Sequence, residues 1–237
     1  HGGGYGIYSF ADGISSLGLW YPIVSSHRDG QWDLVQGGTM GDVSYFDASN
    51  YRVRLAVSPG SAVATTGVEV ARSLTNGRLH LEFVAGGVRE FCIQFSPDYR
   101  SVSRVVDGVK VTSWFLPKHR DTGERVLQQG SDALRFFNKR FGPYPYTELD
   151  LVEAPLTGGA GGVEFPGLVT LASMFYGSSG GSGLPESVEA LMVENPMMRD
   201  TLEFVVAHEV AHQWWNAVVG SDSKQHPFVD EALANHS

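Results

Sequence analysis

His208-Glu209-Val210-Ala211-His212 is the stretch of this 237-residue sequence whose residue types and spacing can do chemistry. Two histidines at i and i+4 lie one above the other on a single helical face. Their imidazoles can converge on one Zn2+ at about 2.0–2.1 Å per ligand. Glu209, one residue on, can reach a metal-bound water without ligating the metal. The flanks Phe204-Val205-Val206-Ala207 and Gln213-Trp214-Trp215 suit a buried helix, and burial strengthens the electrostatics of a metal site. A catalytic zinc keeps three protein ligands and a water, so a third ligand is expected from a neighbouring helix. Val229-Asp230-Glu231-Ala232-Leu233 reads as a short helical run. Eighteen residues separate Glu231 from His212, enough to end one helix, turn, and bring a carboxylate back from the next.

The helix carrying the motif is expected from about Asp200, a candidate N-cap, to about Val219, with Gly220 as its stop. Another is expected over residues 123 to 140, where Val126, Leu127, Leu134, Phe136 and Phe137 recur among charged residues. Phe141-Gly142-Pro143 ends it. Residues 149–152 and 168–171 read as strands. Between them Thr157-Gly158-Gly159-Ala160-Gly161-Gly162 is too glycine-rich for a regular element, and residues 177 to 187 read as a Gly/Ser surface loop. Upstream, period-two alternation at Tyr51, Val53, Leu55 and Val57, at Leu79, Leu81 and Phe83, and at Phe91, Ile93 and Phe95 predicts half-buried strands. Asn76-Gly77 predicts a tight turn. No helix is expected before about residue 122. The chain therefore divides into a β-rich part, 1–107, and a part of mixed helices and strands, 108–237.

Hydrophobic residues at 42 % and charged residues at 18 % allow a buried core and exclude general disorder. Lys+Arg 17 against Asp+Glu 26, a formal net charge of -9, argues against a general nucleic-acid or anionic-membrane binder, because phosphate contacts need clustered cations. The single cysteine, Cys92, excludes an internal disulfide framework and a cysteine-rich zinc module. Within its alternating run it reads as a buried small hydrophobe. No apolar run approaches the roughly 20 residues needed to span a bilayer. The chain opens at His1 without a Met and closes at Ser237 within a helical-looking run, so both ends read as cuts.

The pattern H-E-x-x-H, eighteen residues, then E resembles the aminopeptidase N-like gluzincin zinc metallopeptidases. Residues 206–214 and Val229-Asp230-Glu231-Ala232 resemble that family's two ligand helices. Gly161-Gly162-Val163-Glu164-Phe165 resembles its G-x-M-E-N element, keeping the glycine and the glutamate and departing at the Met and the Asn. Residues 141–146 resemble the segment leading into the catalytic sheet. The resemblance covers most of residues 100 to 237 and is looser at Trp20-Tyr21-Pro22 and Gly41-Asp42. It implies an α+β chain: a β-rich, sandwich-like N-terminal domain and a thermolysin-like catalytic domain, both incomplete. It implies one Zn2+ per chain on His208, His212 and Glu231, with Glu209 as the catalytic base. Glu164 is implied to bind the free α-amine of a peptide substrate, and the backbone at Gly161 and Gly162 to hold that peptide as an added strand. The family also uses a tyrosine well past the third ligand. All nine tyrosines here precede the motif, the last being Tyr176, so a fragment of a longer enzyme is expected.

The departures at Val163 and Phe165 leave open an endopeptidase or a non-peptide hydrolase on the same zinc chemistry. A zinc-stabilised binding or scaffold module is the reading from another class. His226, beside Pro227, reads as a loop residue, Asp230 as the cap of the helix bearing Glu231, and Trp214 and Trp215 as core. His1, His27, His80, His119 and His236 show no partner pattern. A phosphate-binding reading of the glycines fails for want of a following Lys.

Overall fold

The computed structural model describes residues 5–34, 42, 45–177, 191 and 193–237. His1, Gly41 and positions 178 to 187 of the expected surface loop lie outside the described residues.

The alternating segments of the first hundred residues form strands. These are β1 (Tyr8–Ala11), β2 (Ile14–Leu17), β3 (His27–Arg28), β4 (Gln31–Trp32), β5 (Ser49–Val57), β6 (Ala62–Thr65), β7 (Val68–Thr75), β8 (Arg78–Val88) and β9 (Ile93–Ser96). β3 and β4 pair alone; the rest build the sheets β1-β2-β9-β6 and β5-β8-β7. Asn76 and Gly77 turn β7 into β8, both at positive φ (53° and 71°), as a two-residue hairpin loop that follows the strand twist requires. Leu79, Leu81 and Phe83 of β8 share one apolar cluster with Phe91 and Ile93, so the two sheets bury a common face. Cys92 is fully buried, as its place in the alternation predicts.

A second, mixed sheet follows: β10 (Arg100–Val106), β11 (Val109–Phe115), β12 (Glu148–Ala154), β13 (Gly162–Phe165) and β14 (Leu168–Ala172), in the order β10-β11-β12-β14-β13. β11, β12 and β14 run parallel, with β10 and β13 antiparallel on the edges. A parallel pair needs a long crossover, which α1 (Arg120–Phe141) supplies between β11 and β12. β12 and β14 are covered on both faces and buried almost throughout, which is why they read as short apolar runs and not as alternation. The division expected at 107/108 falls within the Asp107-Gly108 turn between β10 and β11. Those strands hold a continuous register from Arg100↔Phe115 to Val106↔Val109. The glycine-rich stretch also ends differently from expectation, since Gly162 opens β13.

The motif helix is displaced relative to expectation. α2 spans Pro196–Ala211, and its cap is Asn195, not Asp200: the Asn195 side chain accepts a bond from Met197 N at 2.9 Å, with Pro196 at the first helical position. Past His212 the hydrogen bonds widen to i+5, with Ala217 N to His212 O at 3.1 Å and Val219 N to Trp214 O at 2.8 Å. Trp215 leaves helical geometry there (φ -100°, ψ 40°), and the widened turn covers Gln213–Val218. Such turns occur frequently at functional sites. A loop then leads to α3 (Phe228–His236). α2 packs against α1, β13 and β14. Gly130 lets α1 settle on the sheet, since a Cβ there would stand 2.2 Å from Leu151 Cδ1.

The described residues thus form a mixed α+β architecture. Among them no helix is long and apolar enough to cross a membrane. One histidine without a sequence pattern, His119, is buried, with Nδ1 2.8 Å from Glu153 Oε1.

Candidate metal centre

α2 turns Leu202, Val206 and Val210 into the apolar core. Glu209 and His212 are buried with them, at 6 % and 1 % exposure. His208 and His212, one helical turn apart, bring their Nε2 atoms to 3.2 Å with the rings perpendicular. Glu231, in the first turn of α3, places Oε2 3.2 Å from His208 Nε2 and 3.9 Å from His212 Nε2. Ligands of a tetrahedral zinc at about 2.0–2.1 Å lie roughly 3.3 Å from one another. Two imidazoles and a carboxylate at these separations fit such an ion in both chemistry and spacing. His208 Nδ1, His212 Nδ1 and Glu209 Oε2 are buried without a hydrogen-bond partner among the described residues.

The electrostatics follow from crowding. Burial and the adjacent His208 push His212 down to about 4, which keeps it a neutral imidazole, the form that ligates metals. Burial opposes charge on His208 too, but the bond to Glu231 and the nearby Glu209 outweigh it and raise its pKa. The His208 bond lowers that of Glu231. Burial pushes Glu209 up to about 8, with Glu231 and Asp42 adding and His208 opposing.

β13 supplies the second part of the site. Glu164 accepts a hydrogen bond from Asn216 Nδ2 at 2.8 Å, and its Oε1 lies 3.6 Å from His212 Nδ1. Burial raises its pKa well above the carboxylate range, with Asp42 and Glu209 adding to the effect. The two expected glycines serve packing. A Cβ on Gly162 would meet Glu209 Cγ at 2.5 Å, and one on Gly161 would meet Val205 Cγ2 at 3.0 Å. These glycines let the edge strand lie directly on α2. Gly162, Glu164, Glu209 and Glu231 all line one cleft of about 470 Å³, with Asp42 and Phe228.

Asp230 departs from its expected role. The N-cap of α3 is Pro227, with no side-chain cap bond. Asp230 sits inside the first turn, where a negative charge suits the helix N-terminus, and it is 3 % exposed. His226 is an exposed loop residue and Trp214 is core, as expected. Sequence reasoning missed Asn216 and Asp42. Asn216 stands four residues past His212, a spacing that could have suggested it. Asp42, 122 residues from Glu164 in sequence, was read only as part of the looser resemblance and not as a site residue.

No protein-family model matches the chain. It is 30 % identical over 129 residues to Aminopeptidase M1 of Arabidopsis thaliana, covering 54 % of this chain and 13 % of that protein. It is 29 % identical over 138 residues to Aminopeptidase 2 of Candida albicans, covering 58 % and 14 %. It is 28 % identical over 141 residues to Aminopeptidase N of Acetobacter pasteurianus, covering 58 % and 36 %. The matched stretch is thus little more than an eighth to a third of each relative's length, and just over half of this chain is similar to proteins named as aminopeptidases.

Proposed function

We propose that the chain carries most of the active site of a zinc-dependent aminopeptidase, with a β-rich domain followed by a thermolysin-like catalytic domain. The observation that carries this reading is the convergence of His208 Nε2, His212 Nε2 and a Glu231 oxygen within 4.8 Å of one another, beside a buried Glu209. His208, His212 and Glu231 would hold the zinc, which when bound would supply an acidified water and a Lewis acid for the scissile carbonyl. Glu209 takes the proton of the attacking water and returns it to the leaving amine. Its orphaned Oε2 is the atom free to do so.

Glu164 pairs with the ammonium group of the substrate at one end of the cleft. The outer edge of β13 pairs with no strand among the described residues, so an extended peptide can add to it by main-chain hydrogen bonds. A carboxyl group at that end, ionised by the ammonium group it pairs with and in line with the edge strand, favours removal of the first residue over internal cleavage.

The test is metal content after dialysis, by mass spectrometry. About one zinc per chain is expected, and none in His212→Ala. Equal zinc in both proteins would sink the ligand assignment.

A further inference from the structure

The β-rich half reaches Glu164 through one chain of contacts. Arg89, directly after β8, donates from Nη1 to the carbonyl oxygens of Asn216 at 2.7 Å and Ala217 at 3.2 Å. Those carbonyls lie where the widened turn Gln213–Val218 ends the helical run, and the C-terminal end of a helix favours a cation that can bond its last carbonyls. The guanidinium also lies over the Tyr45 ring, 5.6 Å from its centroid. The backbone beneath it is anchored by Tyr51 Oη, which donates to Arg89 O at 3.0 Å. Asn216, held by its carbonyl, donates from Nδ2 to Glu164 Oε1 at 2.8 Å and lies 3.4 Å from Asp42 Oδ2. Gly220 leaves the room this needs: a Cβ there would stand 2.1 Å from Arg89 Nη2. Its backbone φ is ordinary, so the glycine provides space and not a special conformation.

We propose that Asn216, fixed from the β-rich half by Arg89, is the positioning residue that aims Glu164 at the substrate's ammonium group. The inference rests on the amine-binding reading of Glu164 given above. Without the Asn216 amide, the same Glu164 oxygen is free to turn to His212 Nδ1, 3.6 Å away, and the anion leaves the end of the cleft. Gly220→Ala produces a milder version of this, because it displaces only the tip of Arg89.

The experiment is calorimetric binding of an amino-acid hydroxamate and of its des-amino counterpart to the zinc-loaded chain. The wild-type protein should hold the free-amine compound more tightly. Asn216→Ala should lose about tenfold of that preference, the scale of one hydrogen bond to a charged group. Gly220→Ala should lose about threefold, a part of the same bond. Both should keep the wild-type zinc content and the wild-type affinity for the des-amino compound. Should Asn216→Ala and Gly220→Ala keep the full preference while Glu164→Ala abolishes it, the positioning role is overturned and amine binding stands. Equal weakening of both compounds makes Asn216 a support of the fold and also overturns it. No preference in the wild-type protein, or no binding of either compound, removes amine recognition and the inference together.

Discussion

Histidine is buried against glutamate in two places in this molecule. Beneath the first turn ahead of α1, His119 Nδ1 meets both Glu153 oxygens, at 2.8 and 2.9 Å, and Leu116 N donates to Glu153 Oε2 at 2.9 Å. On α2 the same residue types are packed as closely, yet among the described residues His208 Nδ1, His212 Nδ1 and Glu209 Oε2 have no hydrogen-bond partner. Two ring nitrogens face each other at 3.2 Å. In the first cluster both Glu153 oxygens are bonded. In the second, His208 Nε2, His212 Nε2 and Glu231 Oε2 converge, while the far sides of the two rings and one Glu209 oxygen are left without a hydrogen bond among the described residues. Buried polar groups are costly unless paired, so the two clusters differ in how fully their polar atoms are satisfied.

The comparison predicts different losses. Glu209→Gln should lower turnover in a chain complete enough to be active by about 10²–10⁴-fold, the scale of general-base catalysis, while zinc stays bound; full activity would refute the assigned role. His119→Ala leaves the buried Glu153 without its imidazole partner and should cost about 3–5 kcal/mol of stability in urea unfolding. Zinc affinity should be unaffected, and a fall in metal affinity would mean that the two clusters are not independent. The smallest effect concerns a buried acid of neither cluster. Burial pushes Asp150, on β12, up to about 7, against about 3.9 in an unfolded chain. The folded protein holds a proton that the unfolded chain releases, so stability declines as pH rises between about 4 and 7. Asp150→Asn should remove that decline, on the order of 4 kcal/mol by pH 8. An identical pH profile in the variant would show that Asp150 is not the group responsible.

Parts of this were legible in the residues. The alternation of β5 and β8, the Asn76-Gly77 turn and the approach of His208 to His212 are local consequences of backbone period. Where expectation failed, the cause was local at the helix cap and non-local elsewhere. The cap moved to Asn195 because Pro196 favours the first helical turn. The helix left its α-form after His212, where Arg89 binds the carbonyls of Asn216 and Ala217, and no spacing near residue 215 announces that contact. His119 showed no pattern because its partner lies 34 residues away. The Asp107-Gly108 turn joins two strands of one sheet, a pairing that a turn signal alone does not announce.

The sequence by itself determined which side chains share a helical face and which strand faces turn inward, because those follow from periods of 3.6 and 2 that every residue carries with it. Only the tertiary structure decided that Glu231 returns to His208, that Gly162 lets β13 lie against Glu209, that Asp42 reaches the cleft, and that Arg89 reaches the carbonyls of Asn216 and Ala217. Those distances are set by how helices and sheets pack, through contacts between residues that no local period relates.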